Sequence, residues 1–259
     1  MTAGDVPGDR ADSAGTPWAG RALTSTGFDD DQGGADPELM AALDAVHARP
    51  SAESDARLVR AAAAARWLVP VVAVLDHADD GAHGHTVDHR TEMAVVTLIA
   101  PDGRRALPVF TSAAALAAWD ADARPVPVTA ARAAQAAVAE GCAVAVVDLG
   151  GPVPTELRPS MLWALAQETE WRPAHTDPFV AQAVSRAVAG EADILAHRVE
   201  EGQPAGGGIL RVVLGLPAGL PDAAVEALAT RVGEQLATDG ELRARVDALT
   251  FAVETTVRR

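Results

Sequence analysis

The sequence contains no lysine, no tyrosine and no asparagine, and all 21 of its basic residues are arginine. Without lysine the chain has no Walker A phosphate grip, no Schiff-base nucleophile and no lysine general base. The 36 acidic residues give a formal net charge of −15. This balance argues against binding of nucleic acid or of an anionic membrane surface, because both need a positively charged face. We therefore expect neither as a partner.

Cysteine, aromatic residues and long apolar runs are scarce as well. The single cysteine, Cys142, excludes an internal disulfide and a cysteine-built metal centre, and its apolar neighbours predict a buried structural thiol. The longest apolar stretch, 67–75, is too short to cross a bilayer, and the N-terminus has no secretory pattern. We expect a cytoplasmic protein. Because only 3% of the residues are aromatic, alanine-rich helices should pack closely around the core.

Four segments follow one another along the chain. Residues 1–35 are polar, rich in glycine and without periodicity, and predict a disordered tail in which Trp18 is an apolar anchor. Residues 36–167 predict an α/β domain that has a mixed sheet with flanking helices. After a linker at 168–176, residues 177–259 predict a smaller ββαβ-type domain with one helix-covered face. The fold class is therefore α/β (α+β).

Local signals predict where several elements begin and end. The pairs Asp36-Pro37 and Asp177-Pro178 each place an acidic cap before a proline that suits the first helical turn. Thr129 is the expected cap of a third helix. Residues 92–100 predict one continuous strand, which a hairpin turn at Asp102-Gly103 joins to the next strand.

Three predicted strands contain a proline, at Pro70, Pro108 and Pro127. Proline cannot donate to a ladder of backbone hydrogen bonds. Since an open sheet has only two edges, at least one of these prolines should lie at a bulge or at a strand end.

The stretch LPVFTSAAALAAWD, residues 107–120, presents a Thr-Ser pair between a strand and a short helix. A nucleophile would need a base, and no histidine stands at a spacing that predicts proximity. A Ser or Thr directly before a helix is the favoured N-cap, and such a turn also exposes amides that can hold an anion. We expect a cap and no catalytic residue. Phe110, Thr111, Ser112 and Trp119, together with Trp18 of the tail, form a weak candidate contact surface.

The loop 76–90 holds four of the seven histidines, which are His77, His83, His85 and His89. Imidazole and the neighbouring aspartates suit Zn, Ni or Mn. The loop has no helical metal-binding motif, however, and a solvated loop between strands needs only polar residues. We therefore assign no metal and no cofactor, and a metal-dependent enzyme that uses this loop is the alternative function.

The glycine-rich stretch 201–208, EGQPAGGG, does not fit a phosphate-binding loop. Such a loop needs a helix directly after it, whose amides meet the anion, and here a strand follows. The stretch predicts a hairpin loop.

The order of residues over 91–128, TEMAVVTLIAPDGRRALPVFTSAAALAAWDADARPVPV, resembles the N-terminal domain of the SseB family, most closely its actinobacterial members. The PVFTS signature at 108–112 carries the resemblance, together with GCAVAVVDLGGP further on. It covers 36–167 well, and 177–256 looks like the family's C-terminal region. The resemblance implies a link to serine sensitivity, which is a cellular phenotype, and it implies no catalytic residue.

The sequence thus predicts a non-catalytic cytoplasmic binding or regulatory protein with an unidentified protein partner. Besides the metal-dependent enzyme, a purely structural assembly protein is a second alternative. The sequence leaves a homo-oligomer open.

Overall fold

The larger of the chain's two units, Gln32–Arg259, contains the elements described below, and Met1–Asp31 form the other unit. This computed structural model describes residues 28, 30–75, 91–100 and 103–256. The predicted disordered tail lies largely outside these residues, and its disorder stays a prediction.

The N-terminal half alternates helices with the strands of two small sheets. Its elements are α1 (Pro37–Ala48), α2 (Ala52–Ala64), β1 (Arg66–Leu75), β2 (Thr91–Val95), β3 (Leu98–Ile99), β4 (Arg105–Val109), α3 (Ala113–Trp119), β5 (Arg124–Thr129), α4 (Ala130–Ala139), β6 (Val144–Val147), β7 (Thr155–Leu157) and α5 (Pro159–Ala166). One sheet has the order β2-β1-β5 and is antiparallel. The other has the order β3-β4-β6-β7, in which β4 and β6 are parallel. The predicted mixed sheet with flanking helices is confirmed.

The segment 92–100 is divided between both sheets, so the prediction of one continuous strand is wrong. Strand β2 pairs with β1, whereas β3 pairs with β4. The two sheets meet where Leu68 and Phe110 exchange backbone hydrogen bonds of 2.9 Å in both directions. Apolar alternation indicates an extended backbone but does not identify the neighbouring strand.

Two of the strand prolines lie where a backbone donor is not needed. Leu68 directs both of its backbone groups to Phe110, so Pro127, its opposite on β5, sits at a non-hydrogen-bonded position of that ladder. Pro70 lies on β1 between Leu68, which pairs with Phe110, and Val71, where the ladder with β2 begins. Two sheets have more edges than the single open sheet assumed from the sequence. They therefore offer more positions at which a residue needs no backbone donor.

The C-terminal half is a three-stranded sheet covered by helices. Its elements are α6 (Pro178–Val188), β8 (Ala196–Glu201), β9 (Ile209–Leu216), α7 (Asp222–Ala237), α8 (Gly240–Arg245) and β10 (Ala248–Thr255). Strand β9 pairs antiparallel with β8 and parallel with β10. Because parallel neighbours need a crossover, α7 and α8 pass over one face between β9 and β10. The predicted ββαβ arrangement is confirmed.

Each half has its own hydrophobic core. Most buried residues between Leu39 and Ala166 form the first core, and buried residues between Val180 and Leu242 form the second. Leu68, Phe110 and Leu116 form a small separate cluster in the N-terminal half. Arg245 of α8 bridges the halves, because its guanidinium lies 4.9 Å from the ring centroid of Trp163 in α5 and 2.8 Å from the Asp177 carboxylate. Since both cores belong to one unit, the division into domains at 36–167, 168–176 and 177–259 stays a prediction.

Candidate functional site

The predicted contact corner lies at the carboxyl ends of the parallel strands β4 and β6. The Thr111 amide donates to Asp148 Oδ1 at 2.8 Å, and the Thr111 hydroxyl donates to Oδ2 at 2.7 Å. Asp148 has a left-handed backbone, with φ of 52°, which Asp tolerates better than most residues. The buried Thr111 hydroxyl therefore holds two strand ends together and is not poised as a nucleophile.

The other residues of this corner divide between capping and packing. The Ser112 hydroxyl accepts from the Ala115 amide at 3.1 Å and caps α3, as the Thr-Ser pair predicted. The Phe110 ring is completely buried, 5.3 Å from the ring of Trp119. Of the predicted contact residues in this corner, Phe110 and Thr111 are buried, and only Ser112 and Trp119 are half-buried and accessible. A binding role of the corner stays a prediction.

Five residues singled out in the sequence lie outside the described part of the chain. They are Trp18, His77, His83, His85 and His89. Within the described part, no group of three or more His, Cys, Asp or Glu side chains could hold a metal ion. The metal alternative for the loop 76–90 stays a hypothesis.

Two histidines of the described residues contact hydroxyl groups. His47 Nε2 lies 2.8 Å from Thr155 Oγ1, and His197 Nε2 lies 3.1 Å from Ser185 Oγ. The Ser185 hydroxyl donates to the Ala181 carbonyl at 2.8 Å. The His197 ring must then donate to Ser185, which is the reverse of base activation.

Cys142 is buried, as predicted. Burial raises the pKa of its thiol above the ordinary value, and the Arg105 charge lowers it by a smaller amount. A raised pKa keeps the thiol protonated and unreactive, which agrees with a structural role.

A groove of about 520 Å³ lies between α2, α4, α5 and the segment that follows α5. We call it the α2–α4–α5 groove. Alanines contribute most of its apolar lining, with Val59, Leu165 and Trp171. Because alanine side chains are small, the groove between these helices remains open. The volume is within the range of ligand sites in proteins.

Two arginines from different helices line the groove without a salt bridge. Arg60 projects from α2 and Arg132 from the first turn of α4, and both are exposed. Neither forms an ion pair or a side-chain hydrogen bond with the residues that the structure describes. The nearby Glu170 instead binds Arg172 at 2.8 Å, which lowers the Glu170 pKa, and Arg60 adds only a minor effect.

Glu168, at the C-terminus of α5, is an acidic residue of the groove lining. Its φ of 53° places it in the left-handed region, which glycine normally occupies at this position of a helix end. The Glu168 amide donates to the Leu165 carbonyl at 3.2 Å, and the Thr169 amide donates to the Ala164 carbonyl at 2.9 Å. These two bonds define a Schellman motif. A glutamate in a glycine position is a backbone outlier, and such outliers are enriched at binding sites.

Trp171 connects the groove to a buried polar cluster. Its Nε1 donates to Ser160 Oγ at 3.0 Å, and its ring centroid lies 6.0 Å from the Arg158 guanidinium carbon. Ser160 in turn donates its amide and its hydroxyl to the Asp247 carboxylate, at 2.8 and 2.9 Å. One indole therefore lines the groove and also contacts Ser160, which binds Asp247 of the C-terminal half.

Arg158 is the centre of this cluster. It donates to Asp55 Oδ2 at 2.8 Å, to Asp247 Oδ2 at 2.9 Å and to the Gly206 carbonyl at 3.0 Å. Burial raises the pKa of the Asp55 carboxyl, and the Arg158 charge and hydrogen bond offset part of that effect. Helix α2, the start of α5 and the loops that precede the parallel strands β9 and β10 are thus joined at one guanidinium.

The glycines of the loop between β8 and β9 let it approach this cluster. Gly206 and Gly208 have φ of 71° and 70°. A Cβ on Gly206 would lie 2.8 Å from the Ser51 backbone nitrogen, and one on Gly208 would lie 2.5 Å from Arg158 Nε. The predicted hairpin loop is confirmed, and its glycines serve close packing against the N-terminal half.

The described residues define an α/β protein of mixed sheets, and no helix among them has the length and apolar character to cross a membrane. Residues 39–164 match the family model of the SseB protein N-terminal domain. The resemblance seen in the sequence is confirmed there. Its extension to 177–256 and to the actinobacterial type stays a prediction. Searches of curated proteins and of solved structures found no match.

Sequence reasoning missed the α2–α4–α5 groove because its walls come from separate helices. The available signal was that two alanine-rich segments each carry an exposed arginine, Arg60 in the first and Arg132 in the second. An exposed arginine is too common on helices to indicate a site until the two are seen to line one groove.

Proposed function

We propose that this protein is a non-catalytic binding or regulatory module of the cytoplasm, and that its ligand binds in the α2–α4–α5 groove. The observation that carries the proposal is the groove itself, an alanine-lined channel with two arginines that lack a salt bridge. Concave, mostly apolar surfaces with a few polar groups are the usual form of ligand sites.

The structural tasks of the nucleophilic side chains support a non-catalytic role. The Thr111 hydroxyl binds Asp148, the Ser112 hydroxyl caps a helix, and the Ser160 hydroxyl binds Asp247. The Cys142 thiol is buried, and its pKa is raised. Each of these groups already has a partner or surroundings that oppose nucleophilic attack.

The groove is tested by selecting peptides from a phage-displayed random library on the immobilised full-length protein. The blocking variant is Ala63→Trp, because Ala63 lines the groove and is exposed. The matched control is Ala64→Trp, one residue further along α2, exposed and outside the groove lining. Thermal unfolding of all three proteins verifies that they are folded.

We expect the native protein and Ala64→Trp to enrich the same peptide families and Ala63→Trp to lose them. Retention of the same families by Ala63→Trp would show that the groove is not the binding surface. Failure of the native protein to enrich any family would refute the proposed function.

A further inference from the structure

We infer that the α2–α4–α5 groove recognises a peptide segment of a partner protein that carries acidic side chains beside apolar ones, with Arg60 and Arg132 binding the carboxylates. This inference rests on the proposed function and names the chemistry of its ligand. The alanine-rich lining accepts the apolar side chains, and the two guanidiniums accept the acidic ones.

The charges of the groove select the sign of the partner. The chain has 36 acidic and 21 basic residues, so two arginines without a salt bridge in one groove depart from its overall charge. Arg158, Arg198, Arg231 and Arg245 each hold a carboxylate at 2.9 Å or closer, whereas Arg57 and Arg124, like Arg60 and Arg132, form no salt bridge with the described residues. Arg60 and Arg132 differ from that second pair because both line one groove. Arg60 and Arg132 are available to a carboxylate of the ligand, because the lining residue Glu170 is held by Arg172 and neither arginine forms a salt bridge with a described residue. Carboxylates are the preferred partners of the guanidinium fork.

The net charge of −15 does not prevent this interaction. At physiological ionic strength the Debye length is about 8 Å, so a bound carboxylate responds mainly to the charges of the groove and little to the rest of the surface. Within the groove, Arg172 already neutralises Glu170. Glu168 is the one lining carboxylate among the described residues without a salt bridge, so the two arginines outnumber the unpaired acids of the groove.

The peptides selected on the native protein provide the test. Synthetic fluorescent copies of the enriched peptides are titrated against the native protein and against the double variant Arg60→Glu/Arg132→Glu. The matched control is Arg57→Glu/Arg124→Glu, which makes the same change in net charge at two exposed arginines outside the groove.

We expect the enriched peptides to contain Asp or Glu next to apolar residues. Their Kd should weaken about 30-fold or more in the groove variant, because each lost charged hydrogen bond corresponds to roughly a tenfold change. The control should change Kd less than about threefold, because Arg57 and Arg124 do not line the groove and make no direct contact with a peptide bound there.

Each outcome separates the inference from the proposed function. Peptides that lack acidic residues, yet are lost in Ala63→Trp, would overturn the acidic class while leaving the groove as the binding site. Equal weakening by both charge variants would also overturn it, because it would indicate a general charge effect. If no peptide is enriched, the proposed function itself fails.

Discussion

Arg158 Nη2 lies 2.8 Å from Asp55 Oδ2, a contact that ties the chain just before α5 to helix α2. The Arg158 side chain is 15% exposed and that of Asp55 is 3% exposed, so water contributes little to solvating either charge. Asp247, from the other half of the chain, binds the same guanidinium at 2.9 Å. The buried Asp55 carboxylate and the partly buried Asp247 carboxylate thus share one cation.

Replacing Arg158 with Met should destabilise the protein by about 3–5 kcal/mol, because it leaves Asp55 and Asp247 buried without a cation. Urea unfolding of the full chain measures the change. The control is Arg172→Met, whose ion pair with Glu170 is exposed and should contribute little. Similar midpoints for the two variants would contradict a buried joint at Arg158.

The second prediction concerns the loop between β8 and β9. Gly208→Ala should cost more than about 2 kcal/mol, since the new Cβ would lie 2.5 Å from both Arg158 Nε and Asp247 Oδ2 in addition to the strain at positive φ. Gly219→Ala isolates the strain, because Gly219 has φ of 88° and nothing within 4 Å of the added Cβ. We expect that control to cost about 1 kcal/mol. Equal losses in chemical denaturation would mean that packing against Arg158 is unimportant.

The hydrogen bonds from Thr111 to Asp148, which join the ends of β4 and β6, yield a third prediction. Thr111→Val should destabilise the protein by about 1–3 kcal/mol, because Asp148 Oδ2 loses its donor in a partly buried site. Thr111→Ser keeps the hydroxyl and should retain most of the stability. Thermal unfolding distinguishes the two variants. Thr111→Val removes only the hydroxyl and Thr111→Ser removes only the methyl group, so an equal loss in both would contradict a dominant role of the hydroxyl.

The fourth prediction follows from the raised pKa of Cys142. The native protein holds the thiol proton to higher pH than the unfolded chain does, so this group's contribution to stability is present below the ordinary pKa and is lost as pH rises through the native one. At pH 8, iodoacetamide should modify the native thiol more slowly than the thiol in urea. The unfolded protein is the control, and equal rates would refute a buried, protonated thiol.

Glu168 provides a fifth prediction. Glu168→Gly should stabilise the protein by about 1 kcal/mol, because glycine adopts the left-handed conformation of the α5 terminus without strain. Glu170→Gly, two residues on, should give no gain, since no positive φ is relieved there. The free energy of unfolding in urea measures both. Destabilisation by Glu168→Gly would show that the Glu168 side chain adds more to the free energy of unfolding than the backbone strain subtracts from it.

Element starts were predictable from sequence because a cap is a local device. Asp36 accepts from the Leu39 amide and Thr129 accepts from the Arg132 amide, each three residues away. The Asp177 cap, which accepts from the Phe179 amide, is equally local. Spacing along the chain is enough to recognise such bonds.

Strand partners and the groove were not predictable, because they depend on residues far apart in sequence. The segment 92–100 has one apolar pattern and two partner sheets. Arg60 and Arg132 are 72 positions apart and become neighbours of one groove only when α2 and α4 pack on the same side of α5. The PVFTS signature identified the family, yet its side chains serve packing, clasping and capping in the fold.

The joint at Arg158 has a practical consequence for any shortened protein. A fragment that stops at residue 167 would keep Arg158 and Asp55 and would lose Asp247 and Gly206, which accept two of the guanidinium's hydrogen bonds. It would also lose Trp171, one wall of the groove. Truncation at residue 167 would thus expose a surface that the C-terminal half covers and would remove part of the groove lining. Partners captured by such a fragment would include proteins that bind a surface buried in the full-length chain.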